Sequence, residues 1–371
     1  MKKRIIISVT SDLTTDNRVQ KVADSLKNAG FDVMVVARRT SRSLPFVSDY
    51  KVRRLRILFS KSFLFYAEFN LRLFFLLLFS KADIFLSNDL DTLLPNYLAA
   101  RIRRKKLVYD SHELFTEVPE LTNRRFVKKV WCWIEKITLP NVQHCYTVCD
   151  SVAEIYRKKY GVAMQVVRNV PLQGTLVEKN VSLQQSFPDK KIILYQGALN
   201  VGRGIEWIIG AMPYIDDAVF LIIGDGDIRK ELETLVREKK LQNKVYFLGK
   251  IASKELPSYT RCAHLGVCLL SNESLSYYYS LPNRIFDFMH AKIPILASNF
   301  PEITAIVTRY GIGECTTYSD PKTLAQMIEK MLNKTFDKTN FDNAIEEYSW
   351  QNEKKTLLKI FDNALHSDSN I

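Results

Sequence analysis

Leu281-Pro282-Asn283-Arg284-Ile285-Phe286-Asp287-Phe288-Met289, with the apolar run 293–297 behind it, reads as a loop, a helix and a strand in succession. Asn283 is of the type that caps a helix, and the first turn behind a cap carries free N–H groups and partial positive charge. Such a start suits a phosphate. Arg284 adds a guanidinium, and Asp287 lies one turn on, on the same side. A carboxylate beside a phosphate site is what the paired hydroxyls of a ribose require. The stretch points to a nucleotide diphosphate; its plain alternative is a helix start with a surface arginine and aspartate.

Outward from this point the chain alternates strands and helices. In the second half strands fall near 191–196, 218–223, 244–248, 265–270, 293–297 and 312–316. In the first half they fall near 4–9, 32–37, 52–58, 83–87, 106–110, 143–148 and 164–167, with Asp16 capping the first helix and Gly30 ending it. Such alternation builds parallel sheets covered by helices on both faces. Residues 171–190 are polar and poorly periodic and read as a linker. The expected fold is α/β: two doubly wound Rossmann-like domains facing a cleft, 1–180 and 188–345, with a final helix at 349–365 crossing back to the first.

A length of 371 residues fits two domains. Apolar content of 47% and charged content of 25% are those of a soluble globular chain. Met1-Lys2-Lys3-Arg4 runs into Ile5-Ile6-Ile7, too short an apolar core for a secretory signal. The six cysteines form no CxxC pair and read as reduced thiols of a cytoplasmic protein, with no metal site among them.

The net charge of +13 is unevenly placed. Residues 1–180 hold 31 Lys/Arg and 17 Asp/Glu, a balance of +14; the remainder holds 22 and 23, a balance of −1. A basic half attracts an anionic partner such as a membrane surface or a phosphorylated substrate. No nucleic-acid-binding module accompanies it. The Phe- and Leu-rich residues 63–79 are too few and too interrupted to span a bilayer and read as a helix between sheet and solvent, the alternative being an interfacial helix partly dipping into lipid. Residues 124–134, Arg-Arg-Phe-Val-Lys-Lys-Val-Trp-Cys-Trp-Ile, interleave four cations with two tryptophans. They suit a membrane interface, the alternative being an amphipathic surface helix with a solvated basic face.

Further segments carry chemistry. Tyr109-Asp110-Ser111-His112-Glu113 follows a strand and sets a histidine among carboxylates where parallel sheets bind ligands. Gly197-Ala198-Leu199-Asn200-Val201-Gly202-Arg203-Gly204 joins a strand to a helix, with glycines that admit a phosphate and an arginine to hold it. It is neither GxGxxG nor a P-loop. Gly224-Asp225-Gly226-Asp227 and Asp89-Leu90-Asp91 read as tight strand-to-helix turns with capping aspartates rather than metal sites. Leu248-Gly249-Lys250 ends a strand with backbone open to a nucleobase.

Taken in order, these segments resemble the family-4 retaining glycosyltransferases of GT-B fold, over almost the whole chain. The opening Ser11 to Val36, the Tyr-Asp-x-His-Glu segment, the glycine–arginine loop, Pro282 to Phe288 (similar to a Pro-Asn-Lys-x-Phe-Glu-Tyr signature) and the Ser-Trp helix near the end carry the likeness. The resemblance implies a nucleotide-sugar donor held by Gly197, Asn200, Arg203, Lys250, Asn283, Arg284 and Asp287. Arg203 and Arg284 would offset the diphosphate charge, and His112 would touch the donor sugar. Arg18, His112 and Glu113 are acceptor-side candidates. Asp287 replaces the usual second glutamate of Glu-x7-Glu, and eight residues earlier stands Tyr279 instead of the first. Tyr279 and the nearby Glu273 are therefore the sugar-contact candidates. The implied reaction needs no cofactor and no metal and retains configuration by front-face transfer. The implied acceptor is anionic and lipid-linked, at the inner membrane face, in bacterial surface polysaccharide synthesis. A nucleotide-sugar epimerase of the same fold, or a non-catalytic binding subunit, stays open as an alternative.

Overall fold

The computed structural model describes residues 2–41, 43–59, 62–174 and 177–366. It forms two compact units, residues 1–169 with 352–371, and residues 170–351. The first unit thus ends earlier than the expected 180 and takes back most of the last helix.

The first unit has strands β1 (Arg4–Ser8), β2 (Asp32–Arg39), β3 (Lys51–Arg56), β4 (Ile84–Asn88), β5 (Lys106–Ser111), β6 (His144–Thr147) and β7 (Gln165–Val166). Its helices are α1 (Asn17–Asn28), α2 (Ser62–Leu78), α3 (Leu90–Arg103), α4 (Pro119–Thr122), α5 (Arg125–Thr138) and α6 (Asp150–Tyr160). All strand pairs are parallel, in the order β3-β2-β1-β4-β5-β6-β7. The chain winds one way from β1 and the other way from β4. The order therefore reverses between these two strands, and their carboxyl ends, at Thr10 and Asp89, flank the crevice where such sheets take ligands. Asp16 caps α1 by accepting the Val19 amide at 3.1 Å, and Gly30 (φ 97°) lets the chain turn out of it.

The second unit has β8 (Lys191–Gln196), β9 (Ala218–Ile223), β10 (Val245–Gly249), β11 (Leu265–Cys268), β12 (Ile295–Ser298) and β13 (Gly313–Thr316). Its helices are α7 (Val181–Ser186), α8 (Ile205–Ala211), α9 (Arg229–Glu238), α10 (Leu256–Thr260), α11 (Leu275–Tyr278), α12 (Asn283–His290), α13 (Pro301–Tyr310), α14 (Pro321–Asn333) and α15 (Lys338–Glu347). The parallel order is β10-β9-β8-β11-β12-β13, so this sheet reverses between β8 and β11. Its central strands are apolar runs because helices cover both faces: every residue of β9, β11 and β12 is buried. The expected linker contains α7, with Asn180 capping it through the Leu183 amide at 2.9 Å.

The last helix, α16 (Trp350–His366), begins in the second unit and runs into the first. There Phe361 is fully buried edge-on to Phe31, and Glu353 accepts from the Arg168 amide at 2.9 Å. Residues 63–79 form most of α2 and its end. Phe65, Phe69, Leu73 and Leu77 make a buried stripe. Leu71, Phe75 and Phe79 stand exposed on another, Phe79 at 80%. Among the described residues no helix is long and apolar enough to cross a membrane. All six cysteines are free.

Candidate functional site

The reversal point of the second sheet collects the residues of the glycine loop and of α12. Gly197 and Gly224 are both left-handed (φ 136° and 137°) because the loops after β8 and β9 lock together. Leu199 donates to Asp225 O at 3.1 Å and Ile228 to Leu199 O at 3.1 Å. A Cβ on Gly224 would stand 1.9 Å from Gly197 O, so only glycine fits. Held this way, Gly197 comes beside Arg284: a Cβ at Gly197 would be 3.5 Å from Arg284 Nη2.

Arg284 is 6% exposed, lies over the Tyr195 ring at 4.3 Å, and its Nη1 has no hydrogen-bond partner. Arg203 lies over the Tyr277 ring at 4.5 Å, with its buried Nε likewise unpartnered. Both guanidinium groups act electrostatically on the buried Cys268 thiol at the end of β11, which burial pushes up and they pull back. Neither has a carboxylate within ion-pair distance among the described residues. An unpaired buried charge is destabilising by several kcal/mol. Arg284 also stands in the first turn of α12, the end of a helix that repels cations. Two cations and a set of free helix amides with no anion among them form a site built for an anion.

Asp287 accepts from Gln196 Nε2 at 2.9 Å, and Gln196 in turn accepts from Thr260 at 2.8 Å, so the carboxylate is fixed beside the end of β8. Asn283 corrects an expectation. It is the first helical residue, the cap position is Pro282, and no side chain caps α12. Pro282 at the cap position is itself extended, and Asn283 is exposed. Asp227 likewise does not cap α9, whose cap position is Ile228. The turn is closed instead by Ile228 donating to Leu199 O.

Asn200 is half-buried in the glycine loop, and Lys250 is exposed after the left-handed Gly249 (φ 71°), whose carbonyl accepts from Gly224. Glu273 is exposed and near enough to Glu206 to help burial raise that carboxyl. Tyr279 closes α11 through its backbone and lies edge-on to Tyr278. It is Tyr277, two residues before it, that reaches an arginine. Tyr195 and Tyr277, the rings under the two arginines, are absent from the sequence reading. Their partners are distant in the chain, and the only sequence signal is an aromatic at the end of an apolar strand.

The reversal point of the first sheet holds a second polar cluster. His112 donates its backbone N–H to Asp89 Oδ1 at 2.8 Å and sets its ring Nδ1 3.1 Å from Asp89 Oδ2. Its Nε2 lies 3.2 Å from Asp110 Oδ2, without the alignment of a hydrogen bond. Burial opposes charge on the ring, but the carboxylates of Asp89 and Asp110 outweigh it and hold His112 protonated well above the ordinary histidine range. The ring is an imidazolium, a donor rather than a base.

Arg18 grips Asp110 through Nη2 at 2.6 Å and Nε at 3.0 Å and gives Nη1 to Val167 O at 2.9 Å. All its nitrogens are engaged and it is 4% exposed. Expected on the acceptor side, it serves instead to position Asp110. Burial would raise the Asp110 carboxyl, yet Arg18 and His112 bring it down to about 2. Asp89 occupies the cap position of α3 with a left-handed backbone (φ 57°) and caps no amide of that helix, contrary to expectation. Its carboxylate is spent on His112. Glu113 is exposed, its carbonyl accepting from Ser111. Burial and then the Asp89 charge push Asp91 up to about 7. Among the described residues no group of three or more His, Cys, Asp or Glu is placed to hold a metal ion.

Known proteins match both units. Residues 16–171 fit the family model described as Glycosyltransferase Family 4, and residues 190–334 the one described as Glycosyl transferases group 1. A Campylobacter jejuni alpha-1,4-N-acetyl-D-galactosaminyltransferase, named for a GalNAc-containing PP-undecaprenol substrate, is 25% identical over 60% of this chain and 56% of its own. The curated relatives are aligned over 48 to 64% of their lengths. Among solved structures, the sucrose-phosphate synthase of Thermosynechococcus elongatus superposes with a TM-score of 0.79 at 19% identity, over 99% of this chain and 100% of that one. Anabaena HepE in complex with UDP-glucose gives 0.76 at 15%, over 97% and 99%. The fold is the two-domain GT-B architecture, and each unit carries a glycosyltransferase domain.

Proposed function

We propose, from the premise that both units are glycosyltransferase domains, that the protein moves a sugar from a nucleoside diphosphate to a lipid-linked saccharide with retention of configuration. The observation that carries this reading is the pair Arg203 and Arg284, buried or half-buried at a sheet reversal point with no counter-charge. A diphosphate supplies the missing anion. Its oxygens accept from both guanidinium groups, from the Gly197 region and from the amides of Asn283 and Arg284. Asp287 receives the ribose hydroxyls, the backbone at Lys250 meets the base, and Asn200, Glu273 and Tyr279 line the approach to the sugar. HepE, of the same fold, is a UDP-glucose complex, which agrees with a nucleotide-sugar donor.

As the bond between anomeric carbon and phosphate oxygen breaks, negative charge grows on the diphosphate. The two arginines stabilise that charge more than the ground state. The departing oxygen accepts the proton of the attacking hydroxyl on the same face, so neither a metal nor a side-chain base is required. The resemblance assigns His112 to the sugar being moved, but its Nε2 is buried 3.2 Å from Asp110 Oδ2, so the part of the ring in this structure is to hold the carboxylates of Asp89 and Asp110.

The basic excess of the first half and the exposed face of α5 support an anionic, membrane-borne acceptor. Phe126, Val130, Trp133 and Ile137 make an outward apolar stripe on α5, Phe126 at 79% and Trp133 at 57% exposure, with Arg125, Lys129 and Lys136 beside it. Such a helix lies in the headgroup region of the inner membrane face. The Campylobacter relative, named for a polyprenyl-diphosphate substrate, agrees.

The test is mass-spectrometric product analysis with a panel of UDP- and GDP-sugars and polyprenyl-diphosphate saccharides. Wild type transfers sugar to one of them with retained configuration, and Arg284→Ala or Arg203→Ala slows this about 100-fold, the loss expected for one preorganised charge contact. An epimerised donor with no glycoside formed, or near wild-type turnover in both variants, would reject the reading.

A further inference from the structure

The acceptor has so far been assigned a helix face but no residue that grips its reacting end. Arg18, the expected contact, is fully engaged with Asp110. The reversal point of the first sheet offers another group. Thr10 follows β1 and Asp91 opens α3 after β4, and Thr10 Oγ1 donates to Asp91 Oδ2 at 2.5 Å across the point where the two strands part. Asp91 is 8% exposed and has no ion-pair partner among the described residues. Arg18 and the imidazolium of His112 make their ion pairs with Asp110 and Asp89.

A run of aromatic rings begins near this carboxyl with Tyr66. Tyr66 of α2 lies within electrostatic reach of Asp91, Arg38 and Glu120. Its ring packs edge-on to Trp131 of α5 at 5.2 Å, and Trp131 takes Phe115 edge-on at 5.2 Å. The Tyr66 hydroxyl makes no hydrogen bond among the described residues. A carboxyl at a ligand crevice, a threonine holding it in place, an uncommitted phenol and an aromatic wall are the elements that hold a sugar. Hydroxyls donate to the carboxylate, and the apolar face of the ring lies on the aromatics. Trp131 lies on α5, the helix whose outer stripe is assigned to the membrane, so the wall leads from the lipid toward Asp91.

We propose that Asp91, positioned by Thr10 and aided by Tyr66, accepts a hydroxyl of the acceptor's terminal sugar, with Tyr66, Phe115 and Trp131 as the wall beside it. The assignment rests on the acceptor reading above but not on the donor site. Neither Asp91 nor Tyr66 belongs to the unit that holds Arg203 and Arg284.

The experiment uses the full chain with octyl glycosides of glucose, galactose, N-acetylglucosamine and N-acetylgalactosamine as probes, read by saturation-transfer NMR. UDP and GDP are titrated in parallel. Wild type gives sugar-ring signals with at least one probe. Asp91→Asn, which keeps the shape of the side chain, weakens that probe about tenfold, as expected for a hydrogen bond to a charged group. Tyr66→Phe weakens it less; both variants bind nucleotide as wild type does, and an unchanged circular dichroism spectrum and thermal melt verify that the first unit folds. The proposal is overturned if wild type holds none of the four probes, or if Asp91→Asn holds them as tightly as wild type. Nucleotide binding lost in wild type itself would instead count against the donor reading and leave the glycoside result standing.

Discussion

At the residue scale the two clusters use charge in opposite ways. In the second unit Arg203 and Arg284 are cations without anions, held by rings instead of carboxylates, so their electrostatic potential is left for a ligand. In the first unit the charges around the histidine are paired with one another. His112 lies between Asp89 and Asp110, and Asp110 is held by Arg18. The pH consequences follow in sign. His112 has a raised value in the fold, so its contribution to stability is full below about 6.5, the ordinary histidine value, and disappears as pH rises through its elevated value. Asp110 is depressed, so its contribution is present above its ordinary 3.8 and disappears as pH falls through about 2. Asp91, raised to about 7, weakens the fold progressively as pH rises from 3.8 to about 7. Nitrogen chemical shifts of the His112 ring give the direct check. At pH 8 both nitrogens still read as protonated, whereas a neutral ring at pH 8 would refute the imidazolium assignment.

At the element scale the helix faces decide what meets the surroundings. α5 buries Trp131, Ile134, Glu135 and Thr138 and turns Phe126, Val130, Trp133 and Ile137 outward. α2 turns out Leu71, Phe75 and Phe79. Replacing Phe126 and Trp133 together by glutamate should lower sedimentation with vesicles containing one-third anionic lipid by at least tenfold, since about 1 kcal/mol or more is lost per buried apolar side chain. The melting temperature should hardly move, because both side chains are exposed. Unchanged sedimentation would remove α5 from the membrane. At this scale most elements were legible in the sequence, since the apolar strand runs and the Asp16 and Gly30 signals are local. The caps at Asn283 and Asp227 were misread for a physical reason. Pro282 fixes the entry to α12 without a side-chain bond, and the α9 turn is closed by a backbone bond from a different loop. Arg203 and Arg284, the arginines of the proposed donor site, were legible from glycines and a proline around them. Their ring partners Tyr195 and Tyr277, and the Asp89 to His112 contact across 23 residues, arise from tertiary packing and have no local signature.

At the scale of the whole molecule, the same construction appears in each unit. A parallel sheet reverses its order at one point, between β1 and β4 or between β8 and β11, and polar groups gather at that point. The basic excess lies with the half that carries α2 and α5, while the half with the uncompensated arginines is close to neutral overall. Attraction to an anionic surface is therefore a property of the first half, screened over about 8 Å at physiological salt. The anion binding proposed at Arg284 would be sheltered from salt by burial. The most direct measurement is calorimetric titration of the full chain with UDP and GDP, in wild type and in Arg284→Ala. One of the two nucleotides should bind wild type at one site per chain and bind Arg284→Ala at least tenfold more weakly, with little change between low and physiological salt. Equal affinity in wild type and variant would contradict the claim that this guanidinium receives the diphosphate.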